Sequence, residues 1–360
     1  MFRPAPRASG YFHTAYDQDL ALVQTRTERL TLALLIAVLA MFPFIASPFA
    51  LDLACQVFLA CVGSLSLMLL TGYAGQISLG HAGLLAAGAF TTGILAREVS
   101  APFWITLPCS AITGIVLGFV FGLPSLRLRG LYLAVSTLAL HFVVIYIGGE
   151  YETKRGFSTG IVVEPPSVAG LRMSDGRAWY FVLLAAAAVS LLICINLLRS
   201  RSGRAFRAVH ARETVAEALG IHIAAYKLLA FVISSSMTSV AGCLFAYYRG
   251  FVSIEAFDLF LSIQYVAMII IGGMGSLLGA ILGAAFVVLF PYVIEGMLNL
   301  LPNVEKLAGD IFAVNYLAFG VVMIIFLVFE PLGLVGIWHR LQNYFLLWPF
   351  RYRPLSGSRK

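Results

Sequence analysis

The chain of 360 residues is 60% hydrophobic, and only 11% of its residues are Asp, Glu, Lys or Arg. Because a soluble globular domain carries about 25% charged residues, this composition excludes a protein whose whole surface faces water. The formal net charge is +7, but no basic patch with interleaved exposed aromatics lies outside the apolar runs. We therefore expect no nucleic-acid partner and attribute the excess charge to the positive-inside bias of membrane proteins.

The charged residues are clustered, and the runs between the clusters are long enough to span a lipid bilayer. A helix needs about 20 mostly apolar residues to cross a hydrocarbon core of about 30 Å. The candidate spans are 30–50, 53–71, 76–96, 103–123, 131–149, 178–198, 228–248, 259–273, 277–299 and 311–329. The eighth is short and the third is rich in glycine. The sequence thus predicts an all-α integral membrane protein of about ten transmembrane helices.

The distribution of charge predicts that both termini are cytoplasmic. In that orientation 17 of the 24 Lys and Arg residues lie inside, and most acidic residues lie outside, as the positive-inside rule requires. The predicted domains are a cytoplasmic N-terminal segment (1–29), a transmembrane permease domain (30–329) and a basic cytoplasmic tail (330–360). A cytoplasmic loop (199–227) interrupts the permease domain.

No residue pattern indicates catalysis, a metal or a cofactor. The five cysteines form no CxxC pair, and the phosphate-binding loop GxxxxGK[ST] and the hydrolase motifs HExxH and GxSxG are absent. A charge at the centre of a span costs about 2.5–3.5 kcal/mol, and no carboxylate lies clearly at such a position. Proton- or sodium-coupled transporters commonly place carboxylates there. We therefore expect a non-catalytic transport subunit whose driving force comes from elsewhere.

The most unusual stretch is Leu70–Phe90, which reads LTGYAGQISLGHAGLLAAGAF. Irregular or polar backbone at membrane depth occurs only against protein or a water-filled cavity. The stretch therefore predicts a discontinuous, glycine-rich helix near residues 72–90 that lines a translocation path. Close packing of small residues between helices is the alternative interpretation. The candidate path residues are Gly75, Gln76, Ser78, Gly80, His81 and Gly83.

The fifth span adds Thr137 and His141 as candidate path residues. A buried His in a helix bundle either faces a ligand or makes an interhelical hydrogen bond, and the sequence leaves both interpretations open. A second glycine-rich stretch, Gly272–Gly283, reads GGMGSLLGAILG. In the predicted topology both glycine-rich breaks lie on the cytoplasmic side.

The cytoplasmic segment 200–228 contains an amphipathic pattern. Phe206, Val209, Val215 and Leu219 fall on one face of a helix, with charged residues on the others, and Gly220 is a natural helix end. Such a helix either lies on the membrane surface or docks on a partner protein. The interspersed Arg and Glu residues favour a protein partner, because a lipid-binding helix would be more uniformly basic.

At these segments the sequence resembles the inner-membrane permease subunits of branched-chain amino acid ABC transporters. The resemblance covers residues from about 60 to 335. It is carried by GYAGQISLGHAG (Gly72–Gly83), LPSLRLRGLYLAVSTLAL (Leu123–Leu140) and GRAFRAVHARETVAEALGI followed by YKLLAFVIS (Gly203–Ser234). The stretch from YRGFVSIEAF to GAILGAAF resembles the family's C-terminal half.

The resemblance implies a multi-pass protein of the bacterial inner membrane and a set of partners. These are a second homologous permease subunit in a heterodimer, two cytoplasmic ATPase subunits and a periplasmic or extracellular substrate-binding protein. It also implies that the 203–220 segment couples ATP hydrolysis to the spans. The candidate coupling residues are Gly203, Arg204, Arg207, Glu213, Glu217 and Gly220.

Two departures from the family pattern leave the cargo open. His141 and Phe142 stand where the family usually has an FGEI-like stretch with a Glu, and Phe157 replaces the second glycine of TGGxxGI. The primary hypothesis is an ABC importer permease for branched-chain or other small amino acids. One alternative is the same importer class carrying urea, short amides or aromatic acids. The second alternative is a stand-alone channel or secondary carrier.

Overall fold

The computed structural model of the chain describes residues 26–126, 130–156, 160–168, 171–172, 175–298, 311–330 and 332–347. Nearly all of the predicted N-terminal segment and Phe157 lie outside these residues. The helices are α1 (Arg26–Ile45), α2 (Pro48–Leu67), α3 (His81–Glu98), α4 (Phe103–Ser125), α5 (Leu131–Arg155), α6 (Gly176–Arg199), α7 (Arg201–Ala211), α8 (Glu213–Ala218), α9 (Ile223–Arg249), α10 (Leu259–Gly272), α11 (Leu277–Leu298), α12 (Ile311–Phe329) and α13 (Gly333–Leu347).

Helices account for nearly all of the regular structure in these ranges, which confirms the all-α fold class. Each predicted span overlaps a helix, and the first also includes the start of α2. Within the described ranges, six helices are long and apolar enough to cross a membrane, and three further apolar helices are shorter. The eighth predicted span is short because residues at each end of α10 limit the length of the helix. Its first turn is capped by Asp258, whose Oδ1 accepts from the Leu261 N–H at 2.9 Å, and Gly273 at φ 115° ends it.

Two span boundaries differ from those predicted, and the predicted tail contains regular structure. Span three is helical only from His81, because residues 74–80 form no helix. Span two extends beyond α2 through a π-helical turn, Met68–Tyr73, whose wider winding ends in the glycine-rich stretch. The predicted tail contains α13, so it is not a simple basic extension.

Short strands join the helices at one end of the bundle. β1 (Ile161–Val162) pairs antiparallel with β4 (Phe251–Val252), and β2 (Ser167–Val168) pairs antiparallel with β3 (Leu171–Arg172). The first pairing joins the segment after α5 to the segment after α9. The C-terminal ends of these two helices therefore lie on the same side of the bundle, and their N-terminal ends lie on the other.

Helix α9 occupies the centre of the bundle and packs against α2, α3 and α4. Small residues allow this: a Cβ at Gly88 would overlap the Ser239 carbonyl, and one at Gly242 would overlap the Leu85 carbonyl. Helices in lipid associate through such close backbone contacts and through hydroxyl hydrogen bonds. The Ser110 Oγ supplies one of these bonds, to the Ser239 carbonyl at 2.8 Å.

Candidate functional site

The site begins at the non-helical stretch Ala74–Gly80, which we call the glycine break. Gly75 starts it at φ +71°, a conformation that glycine adopts without strain. The chain then folds back on the end of the π-helical turn. The Gln76 N–H donates to the Leu70 carbonyl at 3.1 Å, and the Thr71 Oγ1 donates to the Gln76 carbonyl at 3.0 Å.

Buried hydroxyl groups satisfy the backbone at the start of α3. The Leu79 N–H donates to the Thr137 Oγ1 at 2.9 Å, and the Ala82 N–H donates to the Ser262 Oγ at 2.9 Å. The first N–H groups of a helix have no partner within the helix, and inside a membrane water is not there to replace one. Helices α5 and α10 therefore supply the partners that allow α3 to begin within the bundle.

Glycines in this region mark close contacts between α3 and α5. A Cβ at Gly80 would overlap the Thr137 carbonyl, and one at Gly83 would lie 2.6 Å from the His141 Cα. Five predicted path residues (Gly80, His81, Gly83, Thr137 and His141) are thus brought to the α3–α5 contact and its immediate surroundings. Ser78 lies beside them, with its Oγ accepting from the Gly80 N–H at 3.4 Å.

The two histidines are buried, with 1% of His81 and 2% of His141 exposed. The His81 ring packs against the Tyr265 ring, with 4.7 Å between centroids, and its Nδ1 lies 3.5 Å from the Thr238 Oγ1. Among the described residues, the His81 Nε2 and the His141 Nδ1 have no hydrogen-bond partner. A buried polar atom without a partner costs about 1–3 kcal/mol, so these two atoms call for an explanation beyond packing.

The second glycine-rich stretch touches the first. Helix α10 ends at Gly272 and α11 begins at Leu277, so residues 273–276 form the link. The Gly275 N–H lies 3.3 Å from the Met68 Sδ, and a Cβ at Gly72 would lie 2.9 Å from the Gly275 N. The two breaks therefore lie on the same side of the bundle.

Helix α7 is fastened to the end of α6. The Arg207 Nη2 donates to the Leu198 carbonyl at 2.6 Å, and the Arg204 Nη1 donates to the Arg199 carbonyl at 3.2 Å. A cation there also complements the negative end of the α6 dipole. Gly203 allows the close approach, because a Cβ there would overlap the Leu198 Cα. Three of the predicted coupling residues thus hold the segment against the bundle.

The predicted single amphipathic helix is wrong. The chain is extended at Arg212 (φ −158°, ψ 111°), which separates α7 from α8. Phe206 and Val209 of α7 are buried, whereas Val215 is 50% exposed and Leu219 is 75% exposed, so the four residues do not share one face. The 3.6-residue periodicity does not continue across an extended residue, so Val215 of α8 and Leu219 at its end are exposed while Ala216 is buried. The sequence pattern therefore did not predict that Val215 and Leu219 are exposed together.

The remaining predicted coupling residues belong to α8 and its end. The Glu213 Oε1 forms an ion pair with the Lys227 Nζ near the start of α9. Glu217 is exposed, and Gly220 at φ +81° follows the helix.

The glycine break contacts both α7 and α9. A Cβ at Gly75 would lie 3.2 Å from the His210 ring of α7. The Gln76 Nε2 donates to the Lys227 carbonyl at 2.9 Å. Lys227 was not among the predicted site residues, because a single Lys before an apolar run is typical of the charges that flank a membrane span. Only the fold brings it to Gln76 and Glu213 together.

Comparison with known proteins adds an independent finding. A family model described as branched-chain amino acid transport system / permease component matches residues 49–327. The chain is 30% identical over 335 residues to the high-affinity branched-chain amino acid transport system permease protein LivM of Salmonella typhimurium. The match covers 86% of this chain and 76% of that protein, and the figures for LivM of Escherichia coli are the same.

A second kind of relative carries a different printed cargo. The autoinducer 2 import system permease protein LsrC of Salmonella typhi is 25% identical over 269 residues, which is 70% of this chain and 74% of that protein. No solved structure gives a significant match. The similarity thus extends over both glycine-rich stretches and the α7–α8 segment.

Proposed function

The chain belongs to the family of branched-chain amino acid transport permeases and is a multi-pass membrane protein, and on this premise we propose what it carries and how it is driven. It is the permease subunit of an ATP-binding-cassette importer and forms the translocation path for branched-chain or other small amino acids. The observation that carries this proposal is the 30% identity to LivM over 86% of the chain.

The proposed topology has ten spans and cytoplasmic termini. The side of the bundle that holds the glycine break also holds α7, α8 and the start of α9. The described basic residues there include Arg199, Arg201, Arg204, Arg207, Arg212 and Lys227. This concentration supports a cytoplasmic location for that side, in a bacterial inner membrane. The 1–29, 30–329 and 330–360 division follows from the same topology.

We infer that α7 and α8 form the coupling segment for two ATPase subunits. Helix α7 is anchored on α6, while α8 presents Val215 and Leu219 outward. Exposed apolar side chains beside charged ones suit a groove on a protein partner. Hydrolysis then belongs to the partner, and this chain acts without catalytic residues or cofactors. Gly203, Arg204, Arg207, Glu213, Glu217 and Gly220 position the segment.

The translocation path runs along the glycine break and the α3–α5 contact. Gly75, Gln76, Ser78, Gly80, His81, Gly83, Thr137 and His141 contribute to it. The buried unpaired nitrogens of His81 and His141 support this assignment, since polar groups at membrane depth commonly mark a solute pathway. A second homologous permease completes the path as a heterodimer, and a binding protein delivers the cargo from the opposite side.

Uptake into proteoliposomes tests the proposal. The complete transporter purified from its native membrane, with the binding protein supplied on the opposite side, should accumulate radiolabelled leucine only when ATP is present on the side of the ATPase subunits. Uptake by this chain alone without ATP would overturn the importer proposal and favour a channel or carrier.

The coupling segment is tested by the double variant Val215→Asp with Leu219→Asp. It should insert normally but fail to co-purify with the ATPase subunits. Leu341→Asp, on exposed α13, is the matched control and should retain them. Unchanged co-purification of the double variant would place the docking surface elsewhere.

A different cargo is the second candidate, favoured by the similarity to LsrC, which is named for autoinducer 2 import. The importer class is the same in this alternative, and only the transported solute differs. Competition of leucine uptake by urea, acetamide and benzoate separates the candidates. Failure of leucine to be taken up, with ATP-driven uptake of another small solute, would decide for this alternative.

A further inference from the structure

A cavity of about 220 Å³ opens between α2, α9, α10 and α11. It lies on the side of the bundle opposite the coupling segment, because its lining includes Arg249 at the end of α9 and Phe257 just before α10. Liquid water occupies about 30 Å³ per molecule, so the cavity has room for about seven waters or one small solute. This is smaller than the roughly 300–1,000 Å³ of pockets that hold drug-sized ligands.

Polar and charged residues form part of the cavity lining. They are Arg249, which is exposed, together with Gln56, Gln264, Tyr248 and Tyr265. The Arg249 side chain extends over the Phe245 ring, with 5.9 Å from Cζ to the ring centroid. Among the described lining residues, Arg249 is the one cation, and none is acidic.

Gln56 is held in place by its neighbours. Its Nε2 donates to the Asp52 Oδ2 at 2.7 Å, and its Oε1 lies 3.5 Å from the Tyr292 Oη. The Tyr248 Oη donates to the other Asp52 oxygen, Oδ1. Because Asp52 is held from two sides, the Gln56 amide is oriented before a ligand arrives, which reduces the entropy lost on binding.

The rest of the wall is apolar. Its buried residues are Leu59, Ala60, Leu85, Phe257 and Met268, and the partly buried Phe245, Leu261 and Val288 complete it. Branched and aromatic carbon surfaces of this kind favour an apolar ligand group at about 25 cal/mol for each Å² removed from water. A ligand that fits this cavity therefore has a charged end and a short apolar end.

We propose that the cavity is a binding site for an L-α-amino acid with a branched apolar side chain. The carboxylate pairs with the Arg249 guanidinium, which suits carboxylate geometry. The amide oxygens of Gln56 and Gln264 accept from the ammonium group, and the side chain lies on the apolar wall. This assignment rests on the proposed function and names the site within this subunit that holds the cargo.

Tyr265 connects this site to the glycine break. It lines the cavity, and its ring also packs against the His81 ring at 4.7 Å between centroids. About one turn earlier in α10, the Ser262 Oγ accepts a hydrogen bond from the Ala82 N–H at the start of α3. An amino acid that shifts the Tyr265 ring therefore acts directly on His81 and on the start of α3.

The first test measures equilibrium binding of radiolabelled L-leucine to the complete transporter in nanodiscs, without binding protein or ATP. L-Leucine should displace the label, whereas leucinamide, which lacks the carboxylate, should displace it about 10- to 150-fold more weakly, the range that a charge-assisted hydrogen bond contributes. Arg249→Ala should weaken leucine binding and abolish the preference over leucinamide. Equal competition by the two compounds with Arg249 present would overturn the proposal.

The second test fills the cavity. Val288 of α11 lines it, so Val288→Trp should abolish leucine binding. Val293→Trp places the same bulk on an exposed position of the same helix and should bind leucine normally. Binding that survives Val288→Trp would place the site elsewhere.

Both variants are also assayed for co-purification of the ATPase subunits and for ATP-driven uptake. If Val288→Trp binds leucine normally while the wild-type transporter takes up leucine with ATP, only the site assignment fails. If the wild-type transporter neither binds nor takes up leucine, the proposed cargo fails with it.

Discussion

The side-chain amide of Gln76 donates a hydrogen bond to the main-chain carbonyl of Lys227, with 2.9 Å between Nε2 and O. The side chain of the same Lys227 forms an ion pair with Glu213 at the start of α8. One residue at the base of the central helix α9 therefore contacts both the glycine break and the proposed coupling segment. We therefore expect movement of α8 relative to the bundle to reach the break through this residue.

Replacing Gln76 with Leu should uncouple transport without unfolding the protein. The change removes one hydrogen bond, whose net contribution is about 0.5–1.5 kcal/mol, so ATP-driven leucine uptake should fall about two- to tenfold. Uptake in proteoliposomes measures this effect. Gln342→Leu, the same substitution on α13, should leave uptake unchanged. Equal uptake by both variants would show that the Gln76–Lys227 bond does not transmit motion.

The Glu213–Lys227 pair should behave as a coupled unit. Glu213→Lys and Lys227→Glu should each lower cargo-stimulated ATPase activity, and the double exchange should restore much of it. The pair is partly buried, with 33% and 13% of the two side chains exposed, so solvent screens it less than a surface pair.

The exposed pair Glu150–Lys154 in α5 is the matched control for this exchange. Exposed pairs contribute only about 0–1 kcal/mol, so Glu150→Lys should change ATPase activity little. Additive losses in the Glu213–Lys227 double exchange would contradict the coupling.

Gly80→Ala should destabilise the bundle. The added Cβ overlaps the Thr137 carbonyl, and backbone moves less readily than a side chain. Overpacking of this kind typically costs about 1–3 kcal/mol, which thermal unfolding in detergent would register as a lower Tm. At Gly320 of α12 no described atom lies within 4 Å of an added Cβ, so Gly320→Ala should leave Tm unchanged or slightly raise it. A Tm for Gly80→Ala at or above the wild-type value would refute the close contact.

His141→Phe separates the two interpretations of this residue. The His141 Nδ1 has no partner among the described residues, so removing it should leave Tm unchanged or raise it slightly. If His141 faces the path, uptake should nevertheless fall at least about tenfold, which corresponds to about 1.4 kcal/mol. His339→Phe on exposed α13 is the control. A lower Tm with normal uptake per folded molecule would assign His141 to packing.

Much of the fold could be predicted from the sequence, because a bilayer imposes a length and a polarity on every segment that crosses it. Each predicted span overlaps a helix, and the short α10 was expected. The helix starts were less accurate. The third predicted span includes Gln76–Gly80, but the backbone there donates hydrogen bonds to Leu70 and Thr137 instead of forming a helix.

The candidate site, too, could be predicted only in part. Glycine and isolated polar residues within apolar runs indicated the break, since such residues stand out in a membrane span. Val215 and Leu219 were assigned to the same face as Phe206 and Val209 because periodicity assumes an unbroken helix, which the extended Arg212 contradicts. Lys227 and Arg249 carried no local signal, because a charge at the end of a span is ordinary.

By itself, the sequence determined that this protein lies in a membrane, which family it belongs to and that the helix pattern is interrupted at the glycine-rich stretch. Those properties depend on residues near one another along the chain and on the solvent around them. Only the tertiary structure decided that Gln76 contacts Lys227, that α8 presents apolar residues outward and that Arg249 stands beside an apolar cavity. Each of those relationships joins residues far apart in the chain, and its geometry arises from how closely the helices pack.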